Sequence, residues 1–400
     1  MTTRNDAQTC PMHARTLPTD GTPLKPSATF GVWREEGGAT PLVYPDGHEG
    51  WIVTRHELAK EVLADRRFSQ QPHERFPMPQ DRAAVRDLDD AGLEAIRVAD
   101  LLGMDGDEHS RLRRLITSRF TVKAARGRQE FVQQVVAEQI AALRDHGAPA
   151  DVWVDYAQPI SARVHREVLG IPDSHAQRFW DLFVQRSARQ EQFDFIRDVL
   201  ALKREAPGDD LLSDLLAADI TTAEVEGLAL VMMSSGRDSV AYMIATTTTA
   251  LLANPEQLAA LRDNPDLMPA AVEEFMRYGA MFLTLFPRTA TDDIELEGLT
   301  VKAGQTVSVS PVGANRDGRR FDHPDAFDVS RDAFGHVGFG HGPHGCVGQQ
   351  LARIEIGQAV MALVRELPGL TLVHAEQLEP MPFAHPVATY EAGSVIVSWT

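Results

Sequence analysis

Residues 339–348 read Phe339-Gly340-His341-Gly342-Pro343-His344-Gly345-Cys346-Val347-Gly348. Four glycines and one proline within ten residues do not suit a regular helix or strand, and they predict a tight loop of fixed shape. Residues 349–367 are good helix formers, and Pro368-Gly369 ends the pattern. Cys346 is therefore predicted to lie at a helix N-terminus, where free N–H groups and the helix dipole favour an anion. We expect a thiolate there, with a pKa well below the free value of about 8.5.

A thiolate in a shaped loop is either a metal ligand or a nucleophile. A zinc site would use His341, His344 and Cys346, but this spacing crowds three ligands into one turn and no fourth ligand is evident. An iron–sulfur cluster usually needs about four cysteines, whereas the chain has only Cys10 and Cys346. A buried structural cysteine would not need a cage of glycines. The remaining alternative is a single axial thiolate on a haem iron.

The loop pattern Phe-Gly-x-Gly-x-His-x-Cys-x-Gly resembles the haem-binding signature of the cytochromes P450. This resemblance implies that Cys346 is the proximal ligand to the iron of haem b. It also implies that the N–H groups of Val347, Gly348 and Gln349 surround the sulfur. The loop residues expected to contact the cofactor are Phe339, Gly340, His344, Val347 and Gly348.

The resemblance covers the chain from about residue 41 onward and implies a cytochrome P450 fold. That fold is mainly α-helical with small β-sheets (α+β), in a single large domain that encloses the haem. The 400 residues, 43% of them hydrophobic, can bury a substantial core. We expect the domain to span 28–400, after a flexible leader at 1–27 that carries several prolines.

The composition of the chain indicates which compartment and partners to expect. The net charge of −18 argues for a soluble protein and against nucleic acid as a partner. Two cysteines fit a reducing compartment, and the polar N-terminus lacks the apolar core of a signal peptide. No window approaches the about 18 apolar residues of a membrane span. We therefore expect a cytoplasmic monomer without a membrane partner.

Several local patterns precede the loop. Two apolar stretches at 40–44 and 51–54 predict a β-hairpin, and residues 56–63 predict a short helix. The stretch 69–102 is charged and irregular, and a long loop of this kind is usually functional or disordered. By resemblance it contributes to a substrate pocket.

Two helices, at 177–189 and 192–203, are expected to form the roof of that pocket, with a short connection between them. Aromatic residues in these helices are expected mainly to pack the roof onto the core. At the C-terminal end, residues 383–399 predict a β-hairpin. Two residues of this segment are expected to enter the pocket, Val387 and Ala388.

The helix predicted at 104–115 opens with acidic residues and continues with basic ones, as the helix dipole prefers. From spacing alone, a solvated charged face is an equal alternative. By resemblance, His109 and Arg113 hydrogen-bond the haem propionates, which need cationic partners once desolvated. Between 111 and 128 lie seven basic residues and no acidic one. We expect this patch to dock an acidic ferredoxin.

A long apolar helix is predicted between the capping box at 221–224 and the break at Asn254-Pro255. It would run for roughly 32 residues, or about 48 Å. Its polar interruption, Ser235-Gly236-Arg237-Asp238-Ser239, resembles the family's small-Gly-x-acid-hydroxyl pattern. The resemblance implies that Asp238 and Ser239 deliver protons. The alternative is a buried helix with small residues for close packing. Ser235 and Ser239 are expected on one face, with Arg237 pointing away as a salt-bridge partner.

The sequence Glu274-Phe275-Met276-Arg277 resembles the family's Glu-x-x-Arg pattern, with the two charged side chains on one helix face. The resemblance implies a buried network of Glu274, Arg277 and Arg331. It also makes Arg288 a propionate ligand and takes residues 282–285 past the haem and the substrate.

These features predict a monooxygenase in which haem supplies the difficult chemistry and the protein supplies ligation, protons and substrate position. We expect an apolar small molecule as substrate, an intermediate of secondary metabolism. Since the sequence shows no flavin or iron–sulfur module, electrons are expected from a separate ferredoxin and its NAD(P)H-dependent reductase. The alternatives are a peroxide-driven peroxygenase and a non-catalytic haem sensor or carrier. Neither has a use for the acid–hydroxyl pair.

Overall fold

The structure is a computed structural model that describes residues 15–71, 86–184, 188–376, 378, 380–381 and 387–400. Its α-helices are α1 Ala28–Glu35, α2 His56–Ala64, α3 Asp90–Ala99, α4 Gly106–Thr117, α5 Val122–Gly127, α6 Gln129–His146, α7 Gln158–Leu169, α8 Ala176–Phe179, α9 Arg189–Glu205, α10 Leu211–Ala217, α11 Thr222–Ser234, α12 Arg237–Ala253, α13 Pro255–Asp263, α14 Met268–Tyr278, α15 Pro311–Ala314 and α16 Gln349–Glu366. The π-helical turns Val152–Ala157 and Trp180–Val184 precede α7 and follow α8. The predicted mainly helical architecture is confirmed.

The strands form small sheets at the sides of the helical body. They are β1 Ala39–Val43, β2 Glu49–Val53, β3 Phe68–Ser69, β4 Ala150–Asp151, β5 Phe282–Thr284, β6 Arg288–Ala290, β7 Ile294–Leu296, β8 Leu299–Val301, β9 Thr306–Val309, β10 Thr371–Ala375, β11 Ala388–Thr389 and β12 Val395–Ser398. One sheet has the order β1-β2-β9-β6-β3, and in it only the β2–β9 pair is parallel. The other sheets are β10-β12-β4, β11-β5 and β7-β8.

The core lies around α11 and α12, which are buried on almost every side. The capping box predicted for α11 is present: the Thr221 hydroxyl accepts from the Glu224 N–H, and the Glu224 carboxylate accepts from the Thr221 N–H. Gly227 lets α3 approach closely, because a Cβ at this position would lie 2.3 Å from the carbonyl oxygen of Ala95. A single glycine thus sets the spacing between α3 and α11.

The long central helix was predicted as continuous, and this was wrong. It breaks at Ser235–Gly236, where Gly236 has φ +92°. Glycine reaches this backbone region at little cost. Ser235 adopts an extended conformation outside both helices, so Ser235 and Ser239 do not share one helix face as predicted.

Of the other local predictions, some are confirmed and others are wrong. The β1–β2 hairpin and helix α2 are confirmed. The predicted C-terminal hairpin is wrong, because β11 pairs with β5 whereas β12 pairs with β4 and β10. The irregular stretch 69–102 contains α3, and its residues 72–85 lie outside the described residues.

The roof segments also differ from the prediction. The first ends as the π-helical turn Trp180–Val184, and α9 starts at Arg189, which had been given to the first helix. Phe179, Phe183, Phe193 and Phe195 are buried, as expected for packing residues.

The described part of the predicted leader, residues 15–27, is not loose. The Arg15 N–H donates to Pro41 O at 3.1 Å, the Val43 N–H donates to Arg15 O at 2.8 Å, and Leu17 is buried. Residues 1–14, which include Cys10, lie outside the described residues. Within the described part of the chain, no helix combines the length and apolar character needed to cross a membrane.

Candidate active site

The Cys346 loop is held by its own backbone. The Cys346 N–H donates to Phe339 O at 2.8 Å, and the Gly345 N–H donates to Gly342 O at 3.0 Å. Gly342 has φ +70°, and a Cβ there would lie 2.4 Å from Leu63 O, so the loop packs directly on α2. Helix α16 follows at once, as predicted.

Cys346 combines an exposed residue surface with a thiol that has close protein neighbours. The residue is exposed, yet enough protein surrounds the thiol for burial to raise its pKa. The N–H groups of Gly348 and Gln349 and the charges of Arg113 and Arg353 lower the pKa, but burial outweighs them. The predicted low pKa of the free thiol is therefore wrong, because helix-terminus electrostatics act against a larger desolvation.

A network of Arg353, Glu273 and His336 packs against the cysteine loop. The guanidinium of Arg353 lies over the ring of Phe339, 4.5 Å from its centroid, and its Nη2 donates to Glu273 at 2.9 Å. His336 lies 3.2 Å from the same carboxylate and accepts the Gly338 N–H on Nδ1. Although burial raises the pKa of Glu273, bonds from His336 and Arg353 outweigh it and lower the value to about 2. Phe339 is thus held beside the cysteine by a fixed ionic pair.

Of the three basic residues predicted as propionate ligands, two contact the cysteine loop and the third is close enough to His109 for their charges to interact. His109, on α4, stacks on His344 with ring centroids 4.1 Å apart. Arg113, one turn further along α4, donates to Gly345 O. Arg288, on β6, donates to Phe68 O at 3.2 Å. The three side chains thus lie in one part of the molecule, and their role as propionate ligands stays a prediction.

The site also uses Asp105, which the sequence pattern did not single out. Its Oδ1 lies 2.9 Å from His344 Nε2, and its Oδ2 accepts from Ser69 Oγ at 2.6 Å and from the Gln70 N–H at 2.7 Å. Burial raises the pKa of Asp105, but these hydrogen bonds outweigh it and hold the pKa far below its usual range. Asp105 immediately precedes α4, and aspartate is strongly preferred at this N-cap position. The sequence around the start of α4 could therefore have indicated Asp105.

The residues fit a haem. Nε2 of His109 and Nε of Arg288 are buried and have no hydrogen-bond partner among the described residues. Burial lowers the pKa of His109 to about 4 and that of Arg288 to about 10, and the nearby charge of Asp105 opposes both shifts only in part, so each group would gain from further anionic partners. Two propionate carboxylates supply such partners. The zinc alternative is not favoured, since no three metal-binding side chains cluster in the described part of the chain.

Asp238 and Ser239 lie in the first turn of α12, directly after the helix break. The Asp238 side chain is 39% exposed, so it is not the buried mid-helix carboxylate that was predicted. The Ser239 hydroxyl donates to Gly236 O at 2.9 Å. Arg237 forms the predicted ion pair, with its Nε 3.1 Å from Oδ1 of Asp238.

The predicted Glu274 network is confirmed. Arg277 binds both carboxylate oxygens of Glu274, at 2.6 and 2.8 Å, and Arg331 lies 3.3 Å away. Arg277 also donates to the carbonyls of Asn315 and Pro324, which joins α14 to the segment that leads to the cysteine loop.

The predicted basic patch at 111–128 is smaller than its sequence indicates. Arg111 pairs with Glu108 and Glu224, and Arg119 pairs with Asp209 and Asp214. The exposed patch residues without an acidic partner in the described ranges are Arg114, Lys123 and Arg126. Arg126 also lines a groove between α5, α6 and α16, together with Arg353 and Arg365.

The chain matches the family model described as Cytochrome P450 over residues 158–383. Cytochrome P450 105C1 from a Streptomyces species is 35% identical over 388 residues, which cover 94% of this chain and 95% of the relative. The mycinamicin IV hydroxylase/epoxidase of Micromonospora griseorubida is 35% identical over 86% of this chain and 88% of that protein. The crystal structure of cytochrome P450 MoxA from Nonomuraea recticatena has a TM-score of 0.83 at 32% identity, with 96% of this chain and 98% of that one covered. Because the family model matches and these relatives span nearly the whole chain, this protein belongs to the cytochrome P450 family, the haem-thiolate monooxygenases.

Proposed function

We propose that this monooxygenase oxidises an apolar small molecule, an intermediate of secondary metabolism, with haem b held by Cys346. The mycinamicin IV hydroxylase/epoxidase among the relatives supports the substrate class. The observation that carries the cofactor assignment is the presence of the exposed Cys346 together with buried nitrogens of His109 and Arg288 that have no hydrogen-bond partner among the described residues.

When bound, the haem supplies oxygen activation, which a thiolate ligand favours. Cys346 would ligate the iron, and the N–H groups of Gly348 and Gln349 would hold negative charge on its sulfur. The loop residues that would contact the cofactor are Phe339, Gly340, His344, Val347 and Gly348. His109, Arg113 and Arg288 would hold the propionates as hydrogen-bond donors.

Asp238 and Ser239 are the proposed proton donors. The Asp238 carboxylate lies in the first turn of α12 and is 39% exposed, so it can exchange protons with water. The Ser239 hydroxyl bonds Gly236 O and has to turn from that carbonyl to donate elsewhere. Both groups lie in the first turn of α12, next to the helix break at Gly236.

This pair favours reduction of O₂ over a peroxide-driven reaction, because peroxide already brings its own protons. Electrons would come from a ferredoxin and its NAD(P)H-dependent reductase, docked at Arg114, Lys123 and Arg126. The acidic balance of the whole chain, −18, would direct an acidic partner to this basic surface. We place the protein in the cytoplasm as a monomer.

The cofactor assignment is tested with Cys346→Ala. We expect this variant to lack the red-shifted absorption band of a reduced, carbon-monoxide-bound thiolate haem. A variant that keeps the band would show that another group ligates the iron.

The proton assignment is tested with Asp238→Asn and Ser239→Ala. A positioned acid–base group contributes about 10²–10⁴-fold. We expect Asp238→Asn to slow product formation, and Ser239→Ala to release hydrogen peroxide in place of product. Product and peroxide are counted against NAD(P)H consumed. Full coupling in both variants would remove the pair from proton delivery.

A further inference from the structure

Arg237 carries a charge but is only 4% exposed, at the break between α11 and α12. Its Nε lies 3.1 Å from Oδ1 of Asp238, and its Nη2 lies 3.1 Å from Oδ2. The Nη2 contact is a hydrogen bond, whereas Nε lies close to Oδ1 without a hydrogen bond and adds charge attraction to that contact. Arg237 therefore sets the orientation of Asp238.

The same guanidinium reaches the roof of the molecule. Nη2 also donates to the carbonyl of Phe183, in the π-helical turn Trp180–Val184, and Nη1 donates to Met233 O at 3.1 Å. The ring of Phe183 is buried between Phe179 and Phe195, with centroid distances of 5.3 and 5.9 Å. The segment that carries this aromatic cluster is therefore connected to Asp238 through one side chain.

Helix α7 fixes the backbone on which Arg237 stands. Ser161 Oγ donates to Arg237 O at 2.7 Å, and His165 Nε2 lies 2.7 Å from Met232 O. Since a carbonyl only accepts, Nε2 of His165 carries a proton and caps α11. The main chain at the break is therefore hydrogen-bonded to α7, whereas the contact with the roof is made by the Arg237 side chain.

We infer that Arg237 is a positioning residue that orients the Asp238 carboxylate and makes this orientation depend on the roof segment at Phe183. The inference rests on the proposed role of Asp238 in proton delivery. It follows that a substrate which contacts the roof aromatic residues changes the ratio of product to electrons consumed without contacting Asp238.

The test compares two arginines that both join the roof to the central helices. Arg197, on α9, pairs with Asp89 and with Glu226 of α11, at 2.6 and 3.0 Å, and does not contact Asp238. We expect Arg237→Gln to lower product per NAD(P)H by about 10-fold, part of the about 10²–10⁴-fold available from an acid–base group. We expect Arg197→Gln to keep the wild-type ratio. Arg237→Lys keeps the charge but loses the planar fork, so it restores the ratio only in part.

A second measurement does not depend on turnover. Hydrogen exchange in the haem-bound protein, without electron donors, should be faster at the amides of 180–184 in Arg237→Gln than in Arg197→Gln.

In the Asp238→Asn background, Arg237→Gln should cause no further loss of coupling, because the group that it positions is already gone.

The outcomes separate the inference from the proposed function. If Asp238→Asn remains fully coupled, the proton relay itself is wrong. If Asp238→Asn uncouples but Arg237→Gln keeps the wild-type ratio, only the positioning role of Arg237 is overturned. Should Arg237→Gln fail to bind haem, Arg237→Lys decides: an unchanged ratio overturns the inference and a reduced ratio supports it.

Discussion

Replacement of Glu274 by glutamine tests how much a fully buried ion pair contributes to this fold. Neither side chain of the Glu274–Arg277 pair is exposed, and Glu274 also accepts from the Asp328 N–H and from Arg331. Glutamine keeps the shape but removes the charge that offsets two arginines. Removal of one partner from a buried pair destabilises by about 3–5 kcal/mol, because the other charge stays buried without compensation.

That free energy converts into a measurable shift. Unfolding entropy is about 2.1 cal/mol/K per residue, or about 0.8 kcal/mol/K for a chain of this length, so we expect Tm to fall by about 4–6 °C. The assay is thermal unfolding of the haem-bound protein, followed by circular dichroism and haem absorption together.

Glu35→Gln is the matched control. Glu35 pairs with Arg319 through both oxygens, at 2.8 and 3.1 Å, but its side chain is 61% exposed. An exposed pair contributes about 0–1 kcal/mol, which corresponds to a shift of about 1 °C or less. Equal, small shifts in both variants would refute the reasoning that burial gives the Glu274 pair its weight.

Three further predictions follow from packing, burial and charge. Gly227→Ala should destabilise by about 1–3 kcal/mol in a denaturant titration, because the added Cβ overpacks the α3–α11 contact. Burial and the charge of Arg237 lower the pKa of His165 from 6.5 to about 4. The contribution of His165 to stability is therefore present above pH 6.5 and is lost as the pH falls through 4. His165→Gln should show a smaller fall in Tm over this range than the wild type. Arg114→Glu and Lys123→Glu should slow reduction by ferredoxin most at low salt, since the Debye length shortens to about 8 Å at physiological ionic strength.

Each of these predictions has a control in the same chain. Gly127→Ala adds a Cβ that meets nothing within 4 Å, and should be neutral or stabilising. His146 is exposed, so His146→Gln should leave the acid dependence of Tm unchanged. Arg204→Glu reverses an exposed charge on α9, away from the patch, and should not alter reduction. A variant that behaves like its control contradicts the corresponding prediction.

Local chemistry made part of the structure predictable. Glycine content and spacing defined the Cys346 loop, and the Thr221–Glu224 capping box placed the start of α11. The i,i+3 spacing of Glu274 and Arg277 placed both on one helix face, where the structure has them paired. In these cases the residues that determine the outcome are close together in the sequence.

Where distant residues decide, the predictions were wrong. At the helix break at Gly236, two backbone carbonyls accept from Ser161 and His165, which are 76 and 67 positions away in the sequence. The charge of Arg111 is offset by Glu224, 113 positions away. The pKa of Cys346 follows the packing of several elements, so helix-terminus electrostatics alone gave the wrong direction.

The parallel pairing of β2 with β9 has a consequence for synthesis of the chain. His48, beside β2, bonds Thr306 of β9 across 258 positions. At the usual translation rate of about 5–20 residues per second, β2 emerges from the ribosome about 13–50 s before its partner. During that interval the β1–β2 hairpin presents an unpaired edge to other chains. We expect less of the chain to aggregate in a producing cell at low expression temperature or when holdase chaperones are present.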